Sequence, residues 1–248
     1  MAIRTKYQRV IRAKLGIYAL GGMATAIIIV LIILISQVST IATDDKIPFK
    51  PHPLPESLAN WQDLTNKGDY FDQIEPANFG YLVFSKFPIK VYIENPDSLS
   101  SWKETVSSAI LKWDNYLPLN LVEQPQNADI KIIRKNPPLD PQKKRASSAE
   151  TRYQISVKNT PEGFPYLSHR FTIWLSPTQT GQYIEAAALH EFGHALGIWG
   201  HSPEQTDVMY FSQVREPPPI SVRDINTLKR IYQQPTRLGW SILIAPNT

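Results

Sequence analysis

Residues 187–210 read AALHEFGHALGIWGHSPEQTDVMY, a stretch that gathers His190, Glu191, His194 and His201 within twelve positions. On a helix, residues four apart share a face with Cβ atoms about 5–6 Å apart, so His190 and His194 can offer two imidazoles to one ion. Glu191 then stands beside that ion. There it can take a proton from water whose pKa a zinc ion lowers to about 7, making a nucleophile for attack on a carbonyl. Gly197 comes three residues after the second histidine, where a left-handed residue can end the helix and swing the chain back toward the metal. His201 then arrives as a third nitrogen ligand, leaving a fourth position for water. The chain has no cysteine, so any metal must be held by histidines and carboxylates.

A bare HExxH arises by accident in on the order of one chain in a hundred of this length, so the motif gains its weight from the residues C-terminal to it. The whole stretch resembles the signature of the matrixin branch of the metzincin metalloproteases, HExxHxxGxxH and then a turn containing methionine. Here three residues, Ile198, Trp199 and Gly200, separate Gly197 from the next histidine, where that pattern has two. The third ligand is assigned to His201 because its eight-residue step to Met209 and the wording HS…MY match the matrixin pattern; Asp207 and Glu204 are the alternatives.

The resemblance extends from about residue 81 to 234, through VSSAILKWDNYLPLNLVEQPQNADIKI and the closing SVRDINTLKRIY. It implies an α+β, metzincin-like catalytic domain: a twisted, mainly parallel five-stranded sheet, two long helices and a C-terminal helix. It further implies one catalytic Zn2+ on His190, His194 and His201, Glu191 as general base, Met209 as the floor beneath the histidines, and a protein or peptide substrate. Residues 170–175 (RFTIWL) would be the edge strand on which an extended peptide pairs. The chain lacks the Asp, Gly and His run that would match the family's structural zinc and calcium sites, so structural calcium is left open. His169 is read as opening a strand.

The elements that must position these groups are visible as periodicities. Alternation predicts strands over 89–94, 119–123, 128–134, 153–157 and 170–175, and helical spacing predicts helices over 98–117, 183–196 and 222–233, the last with Ser221 as N-cap and Asp224 three residues on, a capping-box-like start. Residues 39–80 are rich in proline and asparagine without a sustained period and read as a stalk, with Trp61, Tyr70 and Phe71 suggesting partial packing on the domain.

The pI near 9.1 invites nucleic acid as a partner, but the charge distribution excludes it. Five cations, Arg4, Lys6, Arg9, Arg12 and Lys14, fall in the first fourteen positions, and the remainder carries 21 basic against 22 acidic residues. Residues 15–38 are uncharged and, at 1.5 Å per residue, long enough for a ~30 Å hydrocarbon core. They predict a single-pass transmembrane helix with the basic tail, 1–14, in the cytoplasm and the remainder extracytoplasmic; the alternative is secretion after signal cleavage. The expected order is tail 1–14, membrane helix 15–38, stalk 39–80, catalytic domain 81–235 and C-terminal tail 236–248, with the oligomeric state open. Two functions compete. One is a working endopeptidase, and the other a catalytically silent, zinc-containing module of the same fold that binds peptides.

Overall fold

A computed structural model describes residues 47–95, 100–138, 147–212 and 218–241. The expected membrane helix 15–38 and basic tail 1–14 lie outside them, and among the described residues no helix is long and apolar enough to cross a membrane. Five strands form one sheet in the order β2-β1-β3-β5-β4, where β1 is Ile89–Ile93, β2 Leu119–Leu121, β3 Ile130–Ile133, β4 Ala149–Asn159 and β5 Pro165–Leu175. All neighbours are parallel except the hairpin of β4 and β5. Alternation sends Ile89, Val91, Ile93, Ile130, Ile132, Phe171, Ile173 and Leu175 into the core while Lys90 and Lys131 point the other way.

Four helices lie among the described residues: α1 (Glu56–Asn60), α2 (Ser100–Ile110), α3 (Gln182–Ala195) and α4 (Val222–Tyr232). Helix α2 buries Trp102, Val106, Ala109 and Ile110 against α3 and the sheet. It is shorter than the predicted 98–117. Residues Leu111–Asn115 tighten to a 3-10 turn, and Asp114 accepts the Leu119 backbone N–H at 2.7 Å. Pro118 then disfavours a helical residue before it.

The expectations for the edge strand, the stalk and the C-terminal tail are corrected. Residues 170–175 do not lie at the sheet's edge, because β5 is paired on both sides, with β3 and with β4. Among the described residues the last strand on that side of the sheet is β4, whose first residues carry little β-propensity and so escaped the pattern. Nor do residues 47–80 stand off as a stalk. Leu58, Tyr70 and Ile74 are buried in the same core as the sheet, and residues near Lys50 and Gly80 bridge to Thr236. Likewise Leu238 is buried and Trp240 stacks on His52 at 4.0 Å, so the expected tail is part of the domain through Ser241. The region shows no period because it packs as irregular coil, holding on through single apolar anchors.

His169 sits within β5 rather than at its start, buried between Phe84 and Phe171 with its Nε2 lacking a partner. Lys86, Asp129, Lys158 and Tyr166 line the small recess beside it. Burial, aided by the Lys158 cation, pushes the imidazole from 6.5 down to about 3.

Two outcomes are expected. Leu58→Ala empties a fully buried site and should cost about 2–5 kcal/mol in denaturant unfolding, whereas truncation on a free stalk would cost nothing. A histidine depressed on folding contributes stability that is complete above pH 6.5 and fades as pH falls toward 3, at up to about 1.4 kcal/mol per pH unit. His169→Phe should flatten the acid limb of the stability profile between pH 6 and 4, and an unchanged slope would show that His169 does not govern it.

Candidate metal centre

Helix α3 is apolar nearly all round, burying Ala186, Ala187, Ala188, Leu189, Phe192 and Ala195 between α2 and the sheet. His190, Glu191 and His194 occupy the remaining strip, facing a cleft of about 740 Å³. The Trp113 indole N–H reaches the Leu189 carbonyl at 3.1 Å and fixes the helix from behind.

The helix ends in a Schellman arrangement. The N–H of Ile198 bonds to the Gly193 carbonyl at 3.1 Å and that of Gly197 to the His194 carbonyl at 3.0 Å, with Gly197 at φ 116°. A Cβ at Gly197 would meet the Leu82 carbonyl oxygen at 2.5 Å, so the turn needs glycine on two counts. The extra residue of the turn is taken up by the N-terminal layer. Gly200 bridges to Ile74, Glu75 donates its backbone N–H to the Trp199 carbonyl at 3.1 Å, and a Cβ at Gly200 would lie 2.1 Å from the Gln73 carbonyl oxygen. Position 200 is therefore closed to side chains, and the next residue is the one that faces the cleft.

That residue is His201. The ligand-capable atoms of His190, His194 and His201 all lie within 4.8 Å of one another, with ring centroids 4.8, 5.3 and 4.8 Å apart. Zinc at about 2.1 Å from each of three tetrahedral nitrogens would separate them by roughly 3.4 Å, so small side-chain adjustments suffice for a metal of that size. Two of the rings are already oriented. His190 Nδ1 lies 2.9 Å from the Val208 carbonyl and His194 Nδ1 2.7 Å from the Ile198 carbonyl. A carbonyl only accepts, so these nitrogens carry the protons and leave Nε2 as the ligand atom. Burial, and then the neighbouring histidines, lower the pKa of His194 far below its ordinary value. Burial and His190 lower that of His201. Both effects favour the neutral, ligating imidazole.

The alternative ligands lie elsewhere. Asp207 is buried and accepts hydrogen bonds from the Ser202 hydroxyl and, at 3.0 Å, from Arg223 Nε, while Glu204 is exposed outside the histidine cluster. Met209 is fully buried in the turn that Ser202 closes by donating its N–H to the Met209 carbonyl at 2.7 Å.

Several contributors escaped the sequence reading. Asp224 was visible only as the third residue of a capping box, which it completes with Ser221. Its carboxylate also accepts the Tyr70 hydroxyl at 2.6 Å and the Val208 N–H at 3.0 Å. Thr151, on β4, donates to Glu191 Oε2 at 2.6 Å. Gln73 and Glu75 line the cleft from the N-terminal layer. The capping box pointed to Asp224; nothing local marked the others. Phe211, Ser212 and Pro218 also line the cleft, and 213–217 lie outside the described residues.

No curated protein matches this sequence. The family model of the matrixins matches residues 86–233, more than half of the chain, spanning β1 through α4 and the histidine cluster between them. The sheet order, the three converging imidazoles and this match agree: the chain belongs to the matrixin family of zinc metallopeptidases.

Proposed function

We propose that the chain is a zinc-dependent endopeptidase with one metal on His190, His194 and His201 and with Glu191 as its general base. The observation that supports this reading most directly is the convergence of three imidazoles on one point, with a carboxylate next in line on the same helix and all four facing an open cleft. When bound, zinc supplies a Lewis acid that acidifies water and polarises the scissile carbonyl. Glu191 takes a proton from the attacking water as the water oxygen bonds to the carbonyl carbon. It returns that proton to the amide nitrogen as the C–N bond breaks, serving first as base and then as acid.

The substrate is an extended segment of protein. Ala149, Glu150 and Thr151 line the cleft, and among the described residues β4 is the last strand on that side of the sheet, the position at which an extended peptide adds. One ground for the alternative, a silent peptide-binding module, is displacement of His201 by the extra residue. That residue is absorbed against Gln73 and Ile74 instead, so the alternative gains nothing from the turn. The uncharged segment 15–38 and the five cations before it support an anchored, single-pass protein with its catalytic domain outside the cytoplasm.

The test uses full-length protein in detergent. Glu191→Gln should keep one zinc per chain and lower hydrolysis of an unfolded protein by at least about 100-fold. His201→Ala should lose most of its zinc. Full activity in the first variant sinks the mechanism, and unchanged zinc in the second sinks the ligand assignment.

A further inference from the structure

Thr151 stands in β4 opposite Ile173 of β5, and its side chain is buried against α3. Its hydroxyl lies within reach of two oxygens, both belonging to Glu191: the backbone carbonyl at 3.0 Å and Oε2 of the carboxylate at 2.6 Å. A hydroxyl has one proton to give. The Glu191 carbonyl sits inside α3, where it already serves as an acceptor in the helical ladder, and the carboxylate is both nearer and charged. The proton therefore goes to Oε2.

We infer that Thr151 is a positioning residue for the reaction, which clamps one carboxylate oxygen of Glu191 and so sets the orientation of the base. A glutamate has three rotatable bonds between backbone and carboxylate, and leaving them free would spread the base over many orientations. Threonine is stiff at χ1, and its backbone is locked in the β4–β5 ladder, so the hydroxyl is a fixed point. Fixing the base before the substrate arrives removes an ordering cost from the chemical step. The clamp also comes from β4, whose residues 149–151 line the cleft, so the strand that would seat the peptide also sets the position of the base. The inference rests on the endopeptidase reading above.

The experiment compares full-length wild type, Thr151→Val, Thr151→Ser and Glu191→Gln on one peptide substrate, recording kcat and KM separately, together with zinc content. Valine keeps the branched shape without the donor. It should lower kcat by about 10- to 100-fold with KM within about twofold and zinc unchanged. Serine keeps the donor and should recover most of kcat. Undiminished kcat in Thr151→Val, beside a Glu191→Gln variant that is inactive, overturns the clamp and leaves the endopeptidase reading standing. Equal losses in the valine and serine variants, or a loss that tracks zinc, likewise overturn it, because packing or metal retention would then be the cause. A wild type that cleaves nothing, or a Glu191→Gln variant that cleaves normally, overturns the endopeptidase reading and the clamp with it.

Discussion

An imidazole that binds a metal can turn only one nitrogen to it, so the other must carry a proton and find an acceptor. Here His190 and His194 find theirs in the carbonyls of Val208 and Ile198. Neither carbonyl belongs to the helix that carries the histidines. That of Ile198 lies in the exit from α3 and that of Val208 in the turn before Met209, so the site exists only if the chain beyond the helix takes one particular shape. The Schellman exit at Gly197, the closed position at Gly200 and the bond from Ser202 to Met209 each serve that requirement.

The turn is in its place because a buried carboxylate holds it. Asp224 accepts the Val208 and Ser221 N–H groups and the Tyr70 hydroxyl, and its own N–H caps on Ser221. Burial, with Asp207 nearby, holds its carboxyl above the ordinary carboxylate range, and these hydrogen bonds offset part of that rise. A buried charge without such donors is costly, so the same bonds that locate the turn make the carboxylate tolerable there. The chain of contacts runs from Tyr70 through Asp224 and Val208 to His190. The N-terminal layer is thereby coupled to the metal centre.

Much of the sheet was readable because parallel strands with one buried face alternate, and β1, β3 and β5 do so cleanly. Strand order was not. Residues 170–175 alternate the same way whether they lie at an edge or between two partners, and only the pairing with β3 and β4 distinguishes the cases. The N-terminal layer was invisible for a different reason. Leu58 lies in the five-residue α1 while Tyr70 and Ile74 flank a 3-10 turn, so these anchors follow no common period.

The sequence by itself determined the chemistry that depends on neighbours along the chain. The four-residue step from His190 to His194, Glu191 between them, the glycine that ends α3 and the capping box of α4 all derive from helix geometry. Tertiary structure decided which strand ends the sheet, that position 200 is sealed so that His201 faces the cleft, and which carbonyls and carboxylate orient the histidines. It also brought Thr151 to Glu191. The physical reason is range: dihedral preferences and helical periodicity act over a few residues, whereas these arrangements depend on segments distant in the sequence and come into being only when the core closes around them.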